Sequence, residues 1–283
     1  MKKIKCQFFL LVNRPEFLVS FLIMTMISLG VFLFNCFKYW DRDLTDIPSA
    51  YSLCIYSTDS FILQPILAFI LLLVVAIPFS DTYYTEKNTK LNYIVYTKSS
   101  AKLYYFSKII TITIAVIILI CIPFLLNCLL TLSVFPYIGL CDASNQMSSQ
   151  SQFYDEFIDF FFLPKLFSYS PYIYGFCFIL LLTLFLVLCA IIVFNVSTFF
   201  IKNKTLLLAI PFMTYCIVAI VSNIAPLFFT SGIPPALDPF SYLFAFDTHI
   251  GKSYIIIICY FITLIITALI TGRIAIQKIK SEV

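Results

Sequence analysis

The chain has 283 residues, of which 61% are hydrophobic and only 11% charged, with a mean hydropathy of +1.01. Soluble domains carry about 25% charged residues, so this chain has too little polar surface to coat a water-soluble globule, and lipid is the expected solvent for most of it. The net charge of +4 sits in the gaps between long apolar runs, with no basic patch interleaved with aromatics, which argues against nucleic-acid binding.

The first segment, Lys2 to Asn13, has Lys2, Lys3 and Lys5 at one end and Phe8, Phe9, Leu10 and Leu11 beyond them. That pattern reads as an interfacial helix lying on the inner leaflet, broken from the next run by Arg14-Pro15-Glu16. The run that follows is long and lacks a small-residue cleavage site, so it reads as a retained anchor. A bilayer core about 30 Å thick needs about 20 apolar residues in helix. Six stretches reach that length: about Phe17 to Phe37, Phe61 to Phe79, Ile109 to Phe135, Tyr172 to Phe200, Thr205 to Phe229 and Ser253 to Gly272. An open strand there would leave backbone groups unsatisfied in lipid, and runs apolar on all sides exclude the alternation of a membrane β-barrel. The expected fold is therefore an all-α integral membrane domain covering residues 1–283, with six transmembrane helices and an N-terminal interfacial helix. A further segment, Phe153 to Phe167, mixes Phe160, Phe161 and Phe162 with Asp155, Glu156 and Asp159 and reads as a helix on the outer surface.

Orientation follows from lysine and arginine. Alternate gaps hold fourteen of the eighteen, from Lys2 through Arg14, Lys87 to Lys108, Lys202 and Lys204 to Arg273 and Lys280. The remaining gaps hold Lys38, Arg42, Lys165 and Lys252, together with ten of the fourteen acids. The first set is expected to be cytoplasmic, which puts both termini inside a multi-pass protein of the cell membrane. Prolines at 65, 78, 123, 211 and 226 fall within spans, where neighbouring helices can cover the freed backbone. The ten cysteines form no C-x-x-C pair and read mostly as small apolar filler; only Cys54 and Cys141 fall in expected outer loops, and nothing in the sequence pairs them.

No Asp, Glu, Lys, Arg or His lies in the middle of any span. Ion-driven carriers place such groups there, and hydrolysis needs a nucleophile, base or metal set. The expectation is a non-catalytic chain with no metal or cofactor site. The only histidine, His249, lies in an outer loop. Gly251-Lys252-Ser253 superficially resembles a phosphate-binding loop, but Phe246 stands where the first glycine is required. The uncharged polar residues Asn35, Gln64, Asn127, Asn195 and Asn223 within spans have two readings: interhelical hydrogen bonds, or, for Asn127, Asn195 and Asn223 above all, the lining of a substrate path.

The most informative stretch is Ser80 to Lys108. Leu91, Ile94 and Val95 recur at helical spacing, and Ser99 or Ser100 can cap a new helix running into the third span. A short amphipathic helix, a turn and a helix entry suit docking into a cleft on a soluble partner. The order of Phe79-Ser80, Glu86, Leu91 with Ile94, Lys98, Tyr104 or Tyr105, and Lys108 resembles the membrane subunit of export-type ATP-binding-cassette transporters, the ABC type-2 permeases. The family often has Gly soon after the Glu, where this chain has Asn88-Thr89-Lys90, and Arg where this chain has Lys98. The layout also resembles the family: an interfacial helix, six spans, and a long outer segment, here Thr230 to Lys252, that partly dips back into the membrane in relatives.

The resemblance implies a permease that moves an amphipathic or hydrophobic substrate (peptide, drug or lipid) out of the cell. ATP would be bound and hydrolysed on a separate ATP-binding cassette subunit, and the permease would pair with a second copy or paralogue. The amphipathic cytoplasmic coupling helix between spans two and three would meet the ATPase through Glu86, Leu91, Ile94, Val95 and Lys98. A non-transporting membrane sensor or assembly subunit would share the same topology.

Overall fold

The computed structural model describes residues 2–43, 46–55, 63–80, 86, 100–137, 163–199, 213–214, 216–218, 220, 238–244 and 254–281. Among them all regular structure is helical, with no strand. The helices are α1 (Lys2–Val12), α2 (Pro15–Lys38), α3 (Ala50–Leu53), α4 (Leu63–Ser80), α5 (Ala101–Val134), α6 (Pro164–Tyr169), α7 (Pro171–Ser197), α8 (Pro239–Leu243) and α9 (Tyr254–Ser281). Among the described residues four of these, α2, α5, α7 and α9, are long and apolar enough to cross a membrane by length and composition. They make the chain consistent with a multi-pass membrane protein. α4 is a shorter apolar helix, and of the expected fifth span only a few helical residues between 213 and 220 are described.

The start of α2 is set by proline chemistry. Pro15 takes the first helical position, where its missing N–H would be unbonded in any case, and Arg14 before it is extended at φ −72°, ψ 138°. The expected break between interfacial helix and first span thus falls where the sequence places it. Ser100, one of the two candidate caps, is the N-cap of α5, accepting a hydrogen bond from the Leu103 N–H at 3.5 Å. At that long, exposed geometry Ser100→Ala is expected to cost about 0.5 kcal/mol, the low end for a cap. A fall in the thermal midpoint of no more than about 2 °C would show it.

α5 begins eight residues before the expected third span and runs 34 residues, about 51 Å at 1.5 Å per residue. That exceeds the thickness of a hydrocarbon core, and Lys108 sits inside a continuous helix, as the expected cap at Ser99 or Ser100 requires. α9 likewise continues past the expected end at Gly272 to Ser281, carrying Arg273, Lys278 and Lys280. The buried stripe of α5 (Ile112, Ala115, Val116, Leu119, Ile120, Phe124, Asn127, Thr131) repeats every three or four residues. It packs on α1, α2 and α7, while α7 also packs on α4 and α9. α5 and α7 are therefore the centre, and α2 and α9 turn most of their apolar surface outward.

The contacts fix direction. Arg14 and Lys108, near the starts of α2 and α5, both reach Glu86, and the ring of Tyr39 meets Phe135 edge-on past their ends, so these helices run parallel. Tyr105 meets Asn195, and Tyr137 stacks on Tyr172, so α7 runs opposite to α5. Phe185 with Phe261 and Asn195 with Thr271 make α9 parallel to α7. One end of the bundle, called here the basic end, thus gathers Arg14, Lys102, Lys108, Arg273, Lys278 and Lys280. At the other end Trp40, Tyr137, Tyr169 and Tyr254 are all exposed, as expected of an aromatic belt at a membrane–water interface.

Two short elements enter the bundle instead of lying on it. Phe167 of α6 is only 3% exposed and meets Tyr174 edge-on, so this part of the expected surface segment is anchored in the core. α8, capped by Asp238 through the Phe240 N–H at 3.1 Å, is buried throughout and sets Phe240 edge-on to Phe185, halfway along α7.

Candidate functional site

At the basic end the chain makes a buried ionic cluster. α1 is held to the bundle by Leu11, which is 1% exposed, while Phe9 and Leu10 face outward. The joint after it brings the side chain of Arg14 to the start of the spans. On α5, Tyr104 and Lys108 lie one turn apart on one face. Between them sits Glu86, 7% exposed. Its Oε1 accepts from Lys108 Nζ, its Oε2 accepts from the Tyr104 hydroxyl at 2.5 Å, and Arg14 Nη2 lies 3.6 Å from Oε1. Lys108 also lies 5.9 Å from the centre of the Tyr104 ring.

The physics of this cluster is lopsided in a useful way. A buried ion costs several kcal/mol in lost hydration, recovered only through good partners. Lys108 is 2% exposed, so its ammonium does not reach back to water as lysines near span ends commonly do. Glu86 is what keeps it there. A residue between α4 and α5 in sequence thus ties together the α1–α2 joint and the first turns of α5.

A neutral network starts from the same turn of α5, at Tyr105. Tyr105 donates to Asn195 Oδ1 at 2.9 Å, and Asn195 Nδ2 donates to the Ala268 carbonyl and to Thr271 Oγ1, both at 3.1 Å. This joins α5, α7 and α9. It needs Gly272: a Cβ there would overlap the Tyr105 hydroxyl and stand 3.5 Å from Asn195 Nδ2. Asn127, toward the opposite end, donates to the Ser28 carbonyl at 2.7 Å and accepts from the Ile55 N–H at 2.9 Å. Both asparagines are fully buried and both bridge helices.

Of the residues expected to meet a partner, Glu86 is placed, and it faces inward onto α5. Leu91, Ile94, Val95 and Lys98 lie outside the described residues, as does Asn223. Cys54 is buried and its thiol donates to the Ala50 carbonyl at 3.2 Å; Cys141 lies outside the described residues. Among the described residues no three His, Cys, Asp or Glu side chains converge as a metal site would require. The sequence gives Arg14 only as a topological charge and part of the break before the first span, and Gly272 only as the end of a span. The Tyr104–Lys108 spacing was a readable signal; the approach of residue 14 to residue 86 was not, because nothing local encodes it.

No family model, no curated protein and no solved structure matches this chain.

Proposed function

We propose that this chain is the membrane-spanning permease subunit of an ATP-driven exporter for an amphipathic or hydrophobic substrate, powered by a separate ATP-binding cassette subunit. The observation that carries the reading is the ionic cluster: a single acid in the connection between α4 and α5 is buried against Lys108, Tyr104 and Arg14. A force applied to that connection would reach α2 and α5 directly through charged contacts, which are the strongest polar contacts available at a membrane boundary. The charge-free interior of the spans supports an energy source outside them.

In this reading the chain has six spans, the basic end and both termini are cytoplasmic, and two permease chains pair. The partner ATPase grips the segment around Leu91, Ile94, Val95 and Lys98, and Glu86 passes the movement inward. Co-purification of an ATP-binding cassette subunit with the tagged chain from its native membranes tests this. The native chain is expected to retain the ATPase, and Leu91→Ala combined with Ile94→Ala to lose at least about 90% of it, as truncation of central interface anchors does. Undiminished capture by the double variant would refute the assigned interface.

A further inference from the structure

The polar residues at the end opposite the basic one have a different job from those of the ionic cluster. Residues 47–55 hold only the single turn of α3, with irregular backbone before and after it. Yet Ser49, Ala50, Cys54 and Ile55 are at most 1% exposed, and Leu53 is 7% exposed. Walls on every side enclose them: Phe32, Cys36 and Tyr39 of α2 or its end, Phe135 after α5, and Tyr172 of α7 pack on Ala50 and Leu53. The ring of Tyr51 sits edge-on to both Tyr172 and Phe167.

Irregular backbone at membrane depth is tolerated only when protein satisfies its polar groups. Three bonds to neighbouring segments contribute here. Asn35 Nδ2 donates to the Leu53 carbonyl at 2.8 Å, the Ile55 N–H donates to Asn127 Oδ1 at 2.9 Å, and the Ala50 N–H donates to the Pro136 carbonyl at 2.9 Å. Asn127 stands seven residues before the end of α5, so Ile55 reaches about 10 Å into the bundle. Two buried asparagines on two different helices are thus committed to a loop, not to each other's helices alone.

We propose that residues 47–55 form a plug that seals this end of the helix bundle, held shut by Asn35 and Asn127 and opened when those side chains release the Leu53 carbonyl and the Ile55 N–H. The plug is defined by the bundle itself; that the sealed end is the exit for substrate rests on the permease reading. Opening trades these backbone bonds for water and separates Tyr51 from Tyr172 and Phe167. The segment can therefore move as a unit once α2 and α5 shift relative to one another.

The native Cys54 thiol, 1% exposed inside the plug, reports the state. The full-length protein is reconstituted in vesicles opened to both sides. It is treated with a hydrophilic maleimide, and labelling of Cys54 is followed by peptide-resolved mass spectrometry. In the native chain Cys54 is expected to react about 100-fold more slowly than an exposed thiol introduced by Asp43→Cys, because reaction requires local opening. Asn35→Leu and Asn127→Leu keep side-chain bulk but leave a plug backbone group unpaired, and each is expected to raise the Cys54 rate about tenfold. A native rate within threefold of the exposed thiol overturns the proposal, and so do unchanged rates in the variants. If Asn127→Leu does not fold, Asn35→Leu decides, since the hydrogen bond of Asn35 goes to the plug. A labelling result stands whether or not an ATPase co-purifies, so failure of the plug and failure of the permease reading are separable.

Discussion

Glu86→Ala is expected to lower the thermal unfolding midpoint by roughly 6 to 10 °C, while replacing Glu86 and Lys108 together with Leu and Met is expected to restore most of it. The single change strips the buried Lys108 ammonium of the carboxylate it contacts and leaves Arg14 facing the same site. Removing one partner of a buried pair costs about 3 to 5 kcal/mol, whereas replacing both with apolar groups of similar size is often neutral. At about 2 °C per kcal/mol for a chain of this size, the single variant stands well apart from the double one. Lys108→Met alone is expected to cost less than Glu86→Ala, because Glu86 keeps Tyr104 and Arg14. A Glu86→Ala midpoint within about 2 °C of the native one would mean that water, not the lysine, is the partner that matters.

The same double variant separates packing from force transmission. If the cluster serves only to hold the fold, the stable Leu/Met protein should function normally. If it links the α4–α5 connection to the spans as the proposed permease function requires, that protein should fold near the native midpoint and retain any ATPase that the native chain captures, yet fail in transport. Charged contacts suit such a link because they are strong at short range and can be broken as a set. An apolar replacement would hold the bundle with less definite geometry.

Much of the bundle was legible because lipid leaves the backbone so few choices. The apolar run from Phe17 to Phe37 becomes α2 with its ends within two residues, and Pro15 and Ser100 mark helix starts by local chemistry that any sequence displays. Lengths were less legible where a helix leaves the hydrocarbon. Tyr104, Tyr105 and Lys108 read as the entry of a helix capped at Ser99 or Ser100, but nothing local shows that Glu86 and Asn195 satisfy them. Asn127 and Asn195 were ambiguous between bonding and lining a path, since the sequence does not say what faces an amide. The structure gives each amide its partners on neighbouring segments. Contacts such as Arg14 with Glu86, or Tyr105 with Gly272, join residues far apart in sequence, and no periodicity carries them.

Gly272→Leu is expected to detach α9 from the α5–α7 pair and lower the midpoint by about 6 °C or more. Gly272 has no positive φ to explain it; its reason is space, because the Tyr105 hydroxyl occupies the position a Cβ would take. A leucine there adds the overpacking cost of about 1 to 3 kcal/mol to the loss of hydrogen bonds around Asn195, each costing about 1 to 3 kcal/mol when a buried group is left unpaired. Gly272→Ala is the finer probe. Alanine favours helix over glycine by about 1 kcal/mol, so a helix-propensity effect would stabilise, whereas displacement of the tyrosine would destabilise. Removing the hydroxyl with Tyr105→Phe should then make Gly272→Ala harmless or slightly favourable, with the two changes together costing less than their sum. Strictly additive midpoints would show that α9 is free to shift at this crossing and that Tyr105, Asn195 and Thr271 do not act as one joint.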